Sequence, residues 1–368
     1  MKNILVIEPS GLLYGSEMVL LDIISNSDSL KYNYTVVLPP SSKFSNLLKT
    51  YSINYDEILD ISSPFRKALS YIKLFLYIKQ KKPDLIFVNQ AGIQKIISYI
   101  ANKLGIPVVT EISTLEDGLL ISKFNKSLHK PVKTYICNSD FIAGKVNVSE
   151  NLKSVLYYGY EWKNLNPQIH TKKDPFKIAL LGRISESKGH FLLVEAIKDL
   201  LERRPDIKTK VYFIGDAPTP SINDDIRAKI NSSGLQDIFV FRGFQTNIEK
   251  ELNNMNIMVI PSIQEPFGRI YCESAEAKLP CIVANSGGLG ELAQRFKLGI
   301  QFEGNNKKDL SRQIEYCFEN YDDIKKQFQD ESHKFLNKLD KKEYIKVIEK
   351  IFDNAIDKKQ FSIKWYGK

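Results

Sequence analysis

Residues 257–287 read "IMVIPSIQEPFGRIYCESAEAKLPCIVANSG", and the order of residue types there decides the architecture. An apolar, β-branched run stops at a proline, a loop bracketed by Pro261 and Pro266 follows, and "FGRIYCESAEAK" then has helical spacing, with Ile270, Ala275 and Ala277 toward a packed side. Cys281 opens a second apolar run that ends in glycine. Strand, helix and strand in succession imply parallel strands covered on both faces. The same stretch sets Glu265 and Glu273 around a proline, a glycine and an arginine just where the first strand ends.

The rhythm extends outward in both directions. In the first half the apolar runs are "NILVIEP" (3–9), "YTVVLPP" (34–40), "DLIFVNQ" (84–90), "PVVTEIS" (107–113) and "TYICNSD" (134–140). The second half has "KIALLGR" (177–183), "KVYFIGD" (210–216), "IFVFRGF" (238–244), "NIMVIPS" (256–262), "CIVANSG" (281–287) and "GIQFEG" (299–304). Two such sets in tandem predict an α/β protein of two doubly wound parallel-sheet domains. The least patterned stretch, "YYGYEWKNLNPQIHTKKDP" (157–175), reads as the linker, giving domains at 1–165 and 166–345. Residues 346–368 end in a tail with Phe361, Trp365 and Tyr366, whose rings bury much apolar surface. That helix and tail are expected to pack back on the first domain.

Bulk properties agree. A chain of 368 residues exceeds the usual single core, and 43% apolar with 26% charged residues is ordinary for a globular protein. The formal charge of +9 favours anionic partners. Cys137, Cys272, Cys281 and Cys317 are widely spaced, with neither zinc-ligand nor disulfide spacing, which fits a reducing compartment. The N-terminus lacks signal-peptide character and no run reaches the roughly 18 apolar residues of a membrane span. The expected location is the cytoplasm.

In an open α/β sheet, ligands gather outside the carboxyl ends of the strands, and with two such domains the cleft between them is the expected site. The junctions there carry suitable chemistry. Arg183, Lys188 and Gly189 follow one strand and precede a helix, where a fork of donors and a point charge grip a diphosphate or form a solvated basic loop. Gly215 with Asp216, and Arg242, Gly243 and Phe244, close the next two strands; such glycines permit close approach of a ligand or simply make turns. Backbone N–H groups around Phe267, Gly268 and Arg269 form an anion site at a helix start. Glu265 and Glu273 suit sugar hydroxyls, because each carboxylate accepts several O–H donors, or are helix charges, and Glu276 reads as an exposed face residue. Gly287, Gly288 and Gly290 lead into Glu291 at a further strand end.

The segments "GRISESKGHFLLVEAI", "VYFIGDAP", "IFVFRGF" and "IMVIPSIQEPFGRIYCESAEAKLPCIVANSGGLGEL" together resemble the nucleotide-sugar domain of GT-B glycosyltransferases, specifically the retaining family 4 (glycosyl transferases group 1). The resemblance covers most of 177–304. It implies two Rossmann-like domains facing a central cleft and a UDP- or GDP-linked sugar donor. It also implies transfer to a hydroxyl of a glycan or lipid-linked acceptor in bacterial surface polysaccharide synthesis. On it, Arg183 and Lys188 neutralise the departing diphosphate with help from 267–269, Glu265 holds the donor sugar, and Glu273 holds the ribose. Gly215, Arg242, Gly243 and Phe244 join them on the donor side. In the first half, "GLLYGSEMVLLDI" is similar to the family's Gly-Gly-x-Glu loop, with Tyr14 in place of the first glycine and Gly15 and Glu17 kept. Gly15 would approach the donor phosphates. Where many relatives carry an acceptor-side histidine, this chain has Glu111, Ile112 and Ser113, so Glu111 and Ser113 are the acceptor-side candidates.

No Asp-x-Asp pair stands at a strand end to hold a divalent ion, so neither a metal nor another cofactor is expected. Residues 65–84, "FRKALSYIKLFLYIKQKKPD", interleave Phe65, Leu69, Ile72, Leu76 and Ile78 with Arg66, Lys67, Lys73, Lys79, Lys81 and Lys82. This basic amphipathic helix either packs its stripe on the first sheet or touches anionic membrane from the cytoplasmic side. Two other readings share the architecture: a sugar-nucleotide epimerase, for which His129, His170, His190 and His333 offer no evident constellation, and a catalytically inactive partner subunit. The sequence holds no nucleic-acid module, so nucleic acid is not an expected partner.

Overall fold

The computed structural model describes the chain except for Tyr14, Ile61, residues 162–171, Lys173, Gln360 and Lys368. Tyr14, His170, most of the expected linker and the expected boundary at 165/166 thus lie outside the described residues. The strands, in chain order, are β1 (Lys2–Ile7), β2 (Tyr32–Leu38), β3 (Asn54–Glu57), β4 (Leu85–Val88), β5 (Val108–Ile112), β6 (Val132–Cys137) and β7 (Lys153–Leu156). They continue with β8 (Phe176–Leu181), β9 (Thr209–Ile214), β10 (Phe239–Gly243), β11 (Ile257–Ile260), β12 (Cys281–Asn285), β13 (Ile300–Glu303) and β14 (Lys364–Trp365).

The chain divides into two units, one of residues 1–159 with 339–368, the other of residues 160–338. The expected boundary at 345/346 falls inside the helix Lys341–Ile356, all of which belongs to the first unit.

The first unit holds a parallel sheet in the order β14-β7-β6-β5-β4-β1-β2-β3. Its central strands are buried on both faces, as "LIFV" in β4 and "VVTEI" in β5 show, which is why they read as continuous apolar runs. The sheet contains three strands that hydropathy did not reveal. β3 is a polar edge strand, β7 is four residues long, and β14 pairs in parallel with β7. Tyr157 N–H donates to Trp365 O at 3.0 Å, which docks the aromatic tail. The helix Lys341–Ile356 buries Tyr344, Ile345, Ile348, Ile351, Phe352 and Ala355 at three- and four-residue spacing. Phe352 lies 5.2 Å from the Phe87 ring, and Asp353 pairs with Lys2 at 2.7 Å and Lys31 at 2.6 Å. These contacts fasten the end of the chain to β1, β2 and β4.

The second unit is a six-stranded parallel sheet ordered β10-β9-β8-β11-β12-β13. Numbered within the unit, that is the Rossmann order 3-2-1-4-5-6. The side chains of Ile178, Leu180, Val211, Phe213, Ile257 and Val259 meet Leu193, Val194 and Ile197 of the helix His190–Arg203 in its core. Each sheet reverses its strand order once, between β1 and β4 in the first unit and between β8 and β11 in the second. Crevices at such points, outside the strand carboxyl ends, are where this class of sheet binds ligands.

Candidate functional site

At the β8/β11 reversal, two loops are locked together by glycines. Gly189 has φ +76°, and a Cβ there would fall 2.3 Å from Pro261 O; Gly287 has φ +62°, with its Cβ 2.6 Å from Glu265 O. Only glycine fits either backbone without displacement. Ile263 N–H donates to Ser187 O at 2.8 Å and Gly288 N–H to Glu265 O at 2.7 Å. The loop after β8 therefore lies directly on the loop after β11. The consequence is an ion pair between residues 77 apart in sequence: Lys188 Nζ sits 2.5 Å from Glu265 Oε2, both side chains partly exposed.

His190 sets the other side of the Lys188 loop. It is fully buried, its ring 4.8 Å from that of Phe213, and Ser185 N–H donates to its Nδ1 at 3.4 Å. Burial pulls its pKa down to about 4, so the imidazole is neutral, and its Nδ1, which also lies 3.2 Å from Ser185 O, braces the loop through the Ser185 backbone. Arg183 is exposed at the end of β8, beside Gly182, where a Cβ would be 3.4 Å from Ile270 of the next helix.

That helix, Arg269–Glu276, begins after Gly268, whose φ is +102°. Phe267 is buried just before it. Its N-terminal end faces the same junction, and helix geometry directs the first N–H groups outward there, although Tyr271 N–H is already taken by Gly268 O at 2.9 Å. The buried side carries Tyr271, Cys272, Ser274, Ala275 and Glu276, while Ile270 and Glu273 are half-buried. Glu276 thus departs from the expected exposed position: Tyr160 O–H donates to its carboxylate at 2.7 Å. Gln264, which the sequence did not single out, holds a left-handed φ of +56° and donates its N–H to Ser286 Oγ at 3.2 Å. A strained non-glycine residue beside Glu265 marks the turn as constrained by its surroundings.

The ends of β9 and β10 meet through Gly215 N–H and Gly243 O at 2.9 Å. Asp216 accepts from Phe244 N–H at 2.9 Å, and the Phe244 ring stands 71% exposed. Arg242, expected on the donor side, is held bidentately by the buried Glu251, at 3.0 Å through Nε and 2.8 Å through a terminal nitrogen. Its fork is filled by a protein carboxylate, so its first role is structural.

In the first unit, the β1/β4 reversal gathers Gly15 and Glu17 with residues that the sequence reading passed over, Glu8, Ser10, Asn89 and Gln90. Glu8 follows β1 and is fully buried; it accepts from Ser10 N–H at 2.7 Å and from Asn89 Nδ2 at 2.5 Å. Burial raises its pKa. Gly15 opens the helix Gly15–Asn26, and Glu17 in its first turn accepts from Ser10 Oγ and from Gln90 Nε2 at 2.9 Å. A glutamate at the end of "NILVIE" and an amide pair at the end of "DLIFVNQ" were the available signals. Glu111 and Ser113, the expected acceptor-side pair, are both buried. Burial, reinforced by Asp117, Glu8 and Glu17, raises the Glu111 pKa to about 8 despite the Tyr158 O–H donating to it at 2.7 Å. Ser113 offers its carbonyl to Asn138 Nδ2 at 3.2 Å. Glu111 is therefore an interior acid beneath the strand edge, and Glu17 with Gln90 occupy the edge itself.

Comparison with known proteins matches residues 163–335 to the family described as glycosyl transferases group 1. The second unit is a glycosyl transferases group 1 domain. The chain is 27% identical over 155 residues to D-inositol 3-phosphate glycosyltransferase of Paenarthrobacter aurescens, a match covering 42% of this chain and 37% of that enzyme. It is 26% identical over 178 residues to a lipopolysaccharide core biosynthesis mannosyltransferase of Rhizobium meliloti, covering 46% of this chain and 50% of that one. The chain thus spans half or less of the length of these two relatives. Among solved structures, Anabaena Alr3699/HepE, crystallised with UDP and glucose, superposes with a TM-score of 0.79 at 19% identity, over 96% of this chain and 100% of that one. The group 1 domain and the Rossmann-like first unit together have the GT-B fold.

Proposed function

We propose that the protein is a retaining, metal-independent glycosyltransferase of the family 4 type. It moves a sugar from a UDP- or GDP-linked donor to a hydroxyl of a glycan or lipid-linked acceptor in bacterial surface polysaccharide synthesis. The observation that carries this reading is the Lys188–Glu265 pair lying at the β8/β11 reversal beside the N-terminal end of the helix Arg269–Glu276. A cation and a helix start at one switch point match a leaving diphosphate. The Rhizobium relative supports the polysaccharide role, and the four free, buried thiols accord with a cytoplasmic location.

In the proposed reaction, the diphosphate draws Lys188 away from Glu265. The released carboxylate accepts hydrogen bonds from donor-sugar hydroxyls, and Glu273 does so from the ribose. Arg183 and the helix end stabilise charge as the glycosidic oxygen leaves, commonly the largest catalytic contribution. The departing diphosphate takes the proton of the incoming hydroxyl on the same face, so no protein base is required. A thermal-shift panel of UDP, GDP, ADP and their sugar conjugates tests the donor class. A ligand that binds only the folded form raises the melting temperature with concentration. Silence across the panel would overturn the assignment.

A further inference from the structure

The turn that carries Lys188 is closed by its own residues. Lys188 N–H donates to Ser185 Oγ at 3.3 Å and Gly189 N–H to Glu186 O at 2.8 Å, while Ser187 Oγ lies 3.1 Å from Ser185 Oγ. Upstream, Ile184 N–H donates to Asp216 O at 2.9 Å; downstream, Gly189 is wedged against Pro261. Ser185 is therefore the hub of the turn, and its backbone is held from the buried side by His190 Nδ1. A neutral imidazole serves this contact in either tautomer. Protonated on Nε2, the ring accepts from Ser185 N–H; protonated on Nδ1, it donates to Ser185 O.

The ring carries a penalty that packing alone does not explain. His190 is fully buried against Phe213, and its Nε2 meets no hydrogen-bonding partner among the described residues. Leu193, Val194 and Ile197 of the same helix, His190–Arg203, pack with Phe213 in one apolar core. An unsatisfied nitrogen buried there is destabilising in either tautomer, and a leucine or phenylalanine would fill the space without it. A polar atom left unsatisfied in an apolar core is expected where function rather than stability selects the residue.

We propose that His190 is a positioning residue for the diphosphate site: by holding the Ser185 backbone it fixes the turn from which the Lys188 ammonium is presented. This rests on the transferase reading above, in which Lys188 meets the leaving diphosphate. Being fully buried, His190 touches no ligand and acts through the turn alone. A lysine on an unbraced turn must be ordered when the anion binds, which weakens binding, whereas a turn already set loses nothing at that step.

The test is calorimetric titration of the full chain with UDP and with GDP. His190→Phe is expected to melt no lower than the wild type, because the orphaned nitrogen is gone, and to bind the nucleotide that the wild type binds roughly tenfold more weakly. His190→Leu makes the same comparison should a phenyl ring be too large for the site. His190→Asn keeps a hydrogen-bonding group where Nδ1 lies and should recover most of the lost affinity, although it packs less well. A role in packing alone predicts the opposite order, with His190→Phe nearer the wild type than His190→Asn. Because the effect runs through Lys188, adding His190→Phe to Lys188→Ala should change affinity by less than about twofold. Wild-type affinity in both apolar variants overturns the proposal, as does an undiminished loss in the Lys188→Ala background. A lowered melting temperature in both apolar variants, with His190→Asn failing to restore affinity, assigns His190 to the core and overturns it too. Failure of the wild type to bind either nucleotide sinks the transferase reading and the proposal with it, whereas wild-type binding that the apolar variants retain sinks the proposal alone.

Discussion

Lys188 Nζ and Glu265 Oε2 lie 2.5 Å apart, bridging the loops that leave the two strands flanking the reversal of the second sheet. The pair is a quarter or less exposed, and an ion pair of this exposure contributes only about 0–1 kcal/mol to folding. Lys188→Ala is therefore expected to keep the wild-type melting temperature within a few degrees while lowering kcat by at least roughly a hundredfold. Arg183→Ala should behave alike. Steady-state kinetics with a competent donor checks both, and near-normal turnover in either variant removes that residue from the diphosphate grip.

Gly189 is the backbone condition for that pair. Its φ of +76° and the carbonyl of Pro261 at 2.3 Å from a built Cβ mean that Gly189→Ala must move one loop. The expected loss is about 1–3 kcal/mol from overpacking, beyond roughly 1 kcal/mol for the left-handed conformation. Gly105→Ala, with φ +70° but open space around the site, isolates the conformational part. Denaturant melts of the two variants should differ by at least about 1 kcal/mol, and equal losses would refute the close contact.

Arg242→Ala distinguishes scaffold from donor contact. Removing it leaves the Glu251 carboxylate, 8% exposed, without its bidentate partner. The expected outcome is a stability loss of about 1–3 kcal/mol with donor affinity nearly unchanged. A large loss of affinity at intact stability would return Arg242 to the donor site.

Glu111 makes stability depend on pH. Its folded pKa of about 8 exceeds the ordinary value of 4.5, so the folded state holds the proton that the unfolded chain releases. Stability therefore falls as pH rises from about 4.5 to 8, by up to about 1.4 kcal/mol per pH unit from this group. His190, neutral when buried, acts in the opposite sense and only between about 4 and 6.5. Glu111→Gln keeps an acceptor for the Tyr158 hydroxyl and should flatten the profile between pH 6.5 and 8, as read by denaturant melts across that range. An identical slope in the variant would show that Glu111 ionises normally.

On the proposed mechanism, in which Lys188, Arg183 and a helix end meet the diphosphate charge, EDTA is expected to leave turnover unchanged. Loss of activity on chelation, restored by a divalent ion, would refute the metal-independent mechanism.

The sequence by itself determined what is locally periodic. All six strands of the second sheet were legible: β8, β11 and β12 are largely buried and therefore apolar, and a turn residue, glycine or proline, closes each run. The helix at 269–276, with Glu273 on it, and the positions of Arg183, Lys188 and Glu265 after strand ends followed from the same rhythm. Only the tertiary structure decided which of those residues meet. Lys188 finds Glu265 across 77 residues because Gly189 and Gly287 let two loops close, and nothing in either loop announces the other. The polar edge strand β3 and the two-residue β14 have no hydrophobic signature, since their partners rather than their side chains define them. Likewise, the spacing of Phe65, Leu69, Ile72, Leu76 and Ile78 specified an apolar stripe, but which of its members are covered depends on the neighbours that the fold brings to them. Here Ile78 is buried together with Leu74, while Phe65, Leu69, Ile72 and Leu76 are left to solvent.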